Sequence, residues 1–114
     1  MATYTKLKLS GSTDGKGIKI TQTATAGDTI HTAHATALDE IWLYAVNSGT
    51  VSVDLTIEWG EDTAPDGNIK VPIAGSSGLY LVIPGLLLTN ELTVKAFSSV
   101  ANVIIIHGFV NRIS

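Results

Sequence analysis

The sequence predicts an all-β fold, a single β-sandwich of jelly-roll or Greek-key type with about eight to nine short antiparallel strands. Three observations predict it. Apolar residues recur with period two, on segments rich in Val, Ile, Thr and aromatic side chains. Gly, Asn, Asp and Ser clusters interrupt those segments at regular intervals. Helical periodicity is nearly absent, since the one candidate turn of helix, Thr36 to Glu40, has only Leu38 to bury. A chain of 114 residues suits one domain with a core that needs no staples, and it contains no cysteine.

Taken in order, Tyr4 to Leu9 alternates, with Thr5, Leu7 and Leu9 on one side and Tyr4, Lys6 and Lys8 on the other. Asp14-Gly15 is a turn signal because both residue types tolerate positive φ. Residues 1–17 are therefore expected to form an amino-terminal strand or arm with a basic edge, and residues 18–114 the sandwich. Ile18 to Thr23 resumes a strand with Ile18 and Ile20 inward. Ala26-Gly27-Asp28 turns the chain, and Thr29 to Ala35 is a further strand. Ile41 to Val46 is apolar on both sides: Ile41, Leu43 and Ala45 point one way, Trp42, Tyr44 and Val46 the other. Asn47 to Thr50 is expected as a hairpin loop. Val51, Val53, Leu55, Ile57 and Trp59 then form a buried stripe opposite a wet one of Ser52, Asp54, Thr56 and Glu58. Gly60 to Gly67 is an acidic loop, Asn68 to Ile73 a strand placed at an edge by Pro72, and Ala74 to Gly78 a small-residue turn.

The stretch from Gly78 to Ser114 organises the rest. Along Leu79 to Ile83 and Val103 to Ile106, odd and even positions are both apolar, so these strands need cover on both sides of their sheet. One side is the domain's own core. The other needs a neighbour. Leu79, Leu81, Leu86, Leu88, Ile104 and Ile106 are the candidate interface residues.

Net charge is -3, which argues against nucleic acid as the main partner. No apolar run reaches the roughly 18 residues of a membrane span, so no membrane partner is expected. Charge is unevenly placed. The first 19 residues hold four lysines against Asp14 alone, while the remainder holds nine acids against Lys70, Lys95 and Arg112. Lys6 and Lys8 thus define a candidate docking edge for an acidic neighbour.

Reactive constellations are scarce, and no enzyme, metal or cofactor is expected. His31 and His34, three apart on a strand, face opposite ways, and His107 sits among apolar residues. No nucleophile elbow of the G-x-S-x-G type is present. Asp54 and Glu58 lie roughly 13 Å apart along one strand face, too far for the usual glycosidase pair. Counting a calcium loop from Asp62 in the acidic loop Glu61–Asp66 puts Ala64 and, at position twelve, Ile73 where acids are needed, and Pro65-Asp66-Gly67 is sufficiently explained as a turn. Trp42, Tyr44, Trp59 and Tyr80 suit core packing, with Trp42 flanking Trp59 on the neighbouring strand; exposed in a groove, they would form a sugar platform.

Four pieces together resemble a known type: the AGDT turn of Ala26 to Thr29, Glu40 to Gly60, Val71 to Leu81, and Thr89 to Ile113 with its LTVKA, Asn102-Val103 and Gly108 to Ile113 elements. They span about three quarters of the chain from first to last and are similar to small all-β virion proteins of tailed bacteriophages, in particular head decoration (cement) proteins. The resemblance implies a β-sandwich homotrimer that binds the outer surface of the assembled capsid, bridges major capsid subunits, and reaches the virion after assembly in the host cytoplasm. It implies no active-site residues. Similar sandwiches in tails and fibres give the alternative, a module binding a host-surface glycan.

Overall fold

The structure is a computed structural model describing residues 2–114. Those residues form nine strands and no helix: β1 (Tyr4–Lys8), β2 (Ile18–Lys19), β3 (Asp28–Thr32), β4 (Leu38–Asn47), β5 (Val53–Trp59), β6 (Asn68–Ile73), β7 (Tyr80–Leu88), β8 (Thr93–Ser98) and β9 (Ile104–Ile113). Sheet I runs β1-β9-β4-β7, with β2 also on β9, and sheet II runs β3-β8-β5-β6. All pairings are antiparallel.

The pairing pattern is a nested hairpin with the acidic loop 60–67 at its tip. β5 pairs β6, β4 pairs β7, β3 pairs β8 and β2 pairs β9, and successive rungs alternate between the two sheets. Pairing of β4 with β9 and of β5 with β8 then closes each sheet. A long hairpin rolled in this way is a jelly roll, the fold class the strand grammar predicts. Residues 4–8 are not a free arm: β1 is bonded along β9 as a sheet edge, and Thr3 and Ser114 exchange backbone hydrogen bonds of 2.7 and 2.9 Å.

Turn chemistry holds where the expected residues stand. Asp14 and Gly15 both take positive φ, at 56° and 85°. Pro72 lies on β6, an edge strand, where its missing N–H costs no ladder bond. Asn47 to Thr50 departs from expectation, because β4 and β5 lie in different sheets and the segment is a crossover. Asn47 fixes it by accepting from Gly49 N–H and donating to the carbonyls of Val51 and Ile73. Strands β2 and β3 are also shorter than the alternation suggests.

Ile20, Ile30, Ile41, Leu43, Leu55, Ile57, Ile104 and Ile106 fill the space between the sheets. On β5 the expected stripe is only partly correct. Val53, Leu55 and Ile57 are buried, but Val51 precedes the strand and is 67% exposed. Thr56 and Glu58, expected in water, are buried as well. Residues 21–27 explain Glu58: this strap brings Gly27 N–H (2.7 Å) and the Thr25 hydroxyl onto its carboxylate. The Asp28 carboxylate in turn holds the N–H groups of Thr21 and Gln22 and the Thr21 hydroxyl. Two contacts from a strap some thirty residues earlier thus convert a surface carboxylate into a buried one, satisfied by charge-assisted bonds.

The alternation on β9 is testable. Ile106 is fully buried and its neighbour Ile105 is turned outward and half-buried. Ile106→Ala is expected to cost about 2–5 kcal/mol in urea unfolding, and Ile105→Ala about 1 kcal/mol or less. Equal costs would contradict the register of β9.

Candidate contact surface

The outer face of sheet I is built by the same alternation. Opposite the inward Ile41, Leu43 and Ala45, β4 turns Glu40, Trp42, Tyr44 and Val46 outward. Across β9 these meet Asn111, Phe109, His107 and Ile105, residue for residue. Across β7 they meet Leu87, Pro84 and Leu81, opposite Glu40, Trp42 and Tyr44. The result is an aromatic and aliphatic band, half-buried by its own crowding, with no layer of the described residues over it.

Trp42 is the centre of the band. Its ring stacks on Phe109, with centroids 6.0 Å apart and planes 9° from parallel. On its other flank lies Gly85, where φ is +77° and a Cβ would sit 2.9 Å from the indole. The register shift between Ile41 and Trp42 and this left-handed glycine form a bulge that admits the ring. The indole N–H donates to Glu40 Oε1 at 2.7 Å, and the Asn111 amide donates to the same oxygen at 3.2 Å. Those bonds, Trp42 first, hold the Glu40 carboxyl below its ordinary pKa. Lys6 Nζ stands 4.8 Å over the Phe109 ring, and a depression of about 330 Å³ opens between Lys6, Glu40, Asn111, Tyr4 and Ile113.

The predicted interface residues divide. Leu79, Leu81 and Leu86 are exposed, as are Lys6 and Lys8. Leu88, Ile104 and Ile106 are not available to a partner, at 7%, 0% and 0% exposure: even-numbered Ile104 and Ile106 face the core, and Leu88 lies opposite Asp39 on the inner side. Their outward neighbours Leu87 and Ile105 take their place. Composition cannot separate these, because the run is apolar on both sides; the partner register does. Trp42 and Trp59 are also further apart in role than expected. They occupy different sheets, and Trp59, half-buried, donates its indole N–H to the Leu87 carbonyl at 3.3 Å.

Sequence reasoning missed one buried cluster. Asp39, at the start of β4, receives Arg112 Nε (2.7 Å) and Nη2 (2.9 Å) from β9 and His31 Nε2 (2.8 Å) from β3. Ser10 N–H donates to His31 Nδ1 at 3.0 Å, so the ring proton sits on Nε2 and points at Asp39. The Ser10 hydroxyl accepts from Thr32 N–H, so the ring meets this serine through its backbone alone. Burial pushes the Asp39 carboxyl upward, but Arg112 and His31 outweigh it and hold the group below its usual pKa. The polar-looking register Asp39↔Arg112 was the available signal, hidden by the distance between those residues in the chain.

The other candidate groups settle locally. His34 Nδ1 accepts from the N–H groups of Thr36 and Ala37, and His107 lies on the outer face of sheet I. In the acidic loop, Asn68 N–H closes a turn onto the Pro65 carbonyl at 3.1 Å, and Asp62 pairs with Lys95 at 3.3 Å. Among the described residues no three His, Cys, Asp or Glu side chains converge as a metal site would require.

A depressed Asp39 pKa stabilises the fold above the ordinary Asp value near 3.8, and that stability is lost as pH falls below it. Asp39→Asn is expected to cost about 3 kcal/mol at pH 7 and to flatten the acid limb of stability against pH. An unchanged acid limb in urea titrations would remove the cluster from that role. Comparison of the chain with known protein families, curated proteins and solved structures finds no match.

Proposed function

We propose that this protein is a structural component of a virion, a head decoration (cement) protein of a tailed bacteriophage. In this reading it associates as a homotrimer, binds the outer surface of the assembled head and bridges neighbouring major capsid subunits without turnover. One observation carries the reading: β4 and β9 are apolar on the side that faces no layer of the described residues, and the edge strand β7 continues that surface with exposed Leu81 and Leu87. Contiguous apolar surface rimmed by polar groups is the mark of an interaction site.

Magnitudes show how much surface is needed. Leu79, Tyr80, Leu81, Leu86 and Leu87 are each about half exposed, so covering one recovers about 1 kcal/mol. Five such side chains give on the order of 5 kcal/mol, less than the roughly 8 kcal/mol of a micromolar complex even before ordering costs. The leucine edge alone is insufficient, and stable assembly needs the aromatic band or a preformed lattice as well. Binding only the assembled shell raises its stability by mass action, which is how such a protein works without chemistry.

A second reading, a tail or fibre module binding a host glycan, draws on the parallel Trp42 and Phe109 rings beside Glu40 and Asn111. Its mark would be glycan-array binding lost in Trp42→Ala; silence on the array disposes of it.

Heads carrying the protein are expected to withstand higher temperature or stronger osmotic shock than heads lacking it, and equal rupture thresholds would sink the cement reading. Leu81→Asp with Leu87→Asp is expected to shift the protein to a monomer in light scattering while its unfolding free energy in urea stays within about 0.5 kcal/mol of the parent.

A further inference from the structure

The outer face of sheet I is electrically divided. Along its β1 and β2 margin stand Lys6, Lys8 and Lys19, all exposed. The register places them opposite Asn111, Phe109 and Ile105, so they share the face of the aromatic band. Along β9 that row spans roughly 20 Å. The one acid on the band, Glu40, is already engaged by Trp42 and Asn111. Across the sheet, the β7 margin carries leucines without charge. The exposed acids Glu61, Asp62 and Asp66 lie in the tip loop that joins strands of sheet II, and Asp54 lies on β5 of that sheet. Glu91 lies between β7 and β8, and Asp14 alone lies in the turn between β1 and β2.

We infer that this lysine-rimmed aromatic face docks on a second, acidic protein surface with apolar side chains at its centre, rather than on another copy of this chain. The identity of that partner as the capsid lattice rests on the cement-protein reading; the acidic chemistry does not. Two copies pressed face to face across a twofold axis along the strands would set the lysine row of one over the uncharged β7 leucines of the other, so that pairing offers these cations no partner. An acidic protein offers both the counter-charge and cover for the band. Phosphate fits less well: three lysines spread over one margin of a chain with net charge -3 make a sparse electrostatic footprint, and Val46 and Ile105 beside them gain nothing from a sugar-phosphate backbone. Rim cations of this kind govern encounter and specificity, while the band supplies the buried area.

The test compares the parent protein with Lys6→Glu/Lys8→Glu/Lys19→Glu. Association state and thermal melting are measured first, and both are expected to match the parent. Affinity for undecorated heads is expected to fall at least about tenfold in the triple variant, and the parent's affinity to fall similarly from about 0.1 to 0.5 M salt. Binding of the variant within about twofold of the parent would overturn the inference. Independently of heads, poly-L-glutamate titrated into the parent is expected to shift the amide resonances of Lys6, Lys8, Lys19 and Phe109. Unmoved resonances overturn the inference, as does a single-stranded oligonucleotide that competes more strongly than polyglutamate. A parent that answers polyglutamate at these residues yet ignores heads keeps the acidic-protein surface and removes the cement reading.

Discussion

Side chains on a β-strand alternate sides, and a two-layer sandwich fills only the inner side of each sheet. That constraint governs the molecule. On β4 and β9 the inner positions Ile41, Leu43, Ala45, Ile104, Ile106 and Val110 are completely buried, so the core is closed and has no room for more. The outer positions Trp42, Tyr44, Val46, Ile105 and Phe109 are nevertheless apolar. They shelter one another by stacking and by the Gly85 bulge, which leaves them half-buried rather than covered. A sheet whose centre is greasy on both sides has a solvent-facing surface that is unlike ordinary polar sheet exterior.

The buried ion cluster stands at one end of that same pair of strands. Asp39 begins β4, Arg112 ends β9, and His31 reaches them from sheet II, so one carboxylate joins both layers and the Ser10 segment. Such a cluster adds little net energy compared with apolar packing, but it penalises any slipped alternative that would leave Asp39 alone. A one-residue slip of β9 against β4 would carry every apolar residue of β9 to the wrong face and separate Arg112 from its partner. Register and electrostatics therefore enforce the same pairing.

Much of the fold was legible because it is written locally. Alternation located the strands, Asp14-Gly15 located a turn, and Pro72 located an edge. What alternation cannot convey is which sheet a strand joins. Asn47 to Thr50 has hairpin composition, yet the chain crosses between layers there, a choice made by long-range pairing of β4 with β7 and β9. Glu58 was misread for a related reason: its cover comes from the strap at Thr25 and Gly27, some thirty residues earlier. On the contact surface, two-sidedness was legible but parity was not, so Leu88, Ile104 and Ile106 stood in for Leu87 and Ile105.

The nested pairing also orders events in time. Closing the rung at the 60–67 tip joins residues close in the chain, whereas β2 against β9 must bring together segments nearly the whole sequence apart. Loop-closure entropy makes the tip rung the easiest to nucleate and the outermost the slowest. Since β9 follows the other eight described strands in the chain, Trp42 meets Phe109 only after all of them have been made. The aromatic band is thus completed only with the latest of these strands, which shortens the interval in which incomplete chains present it to one another.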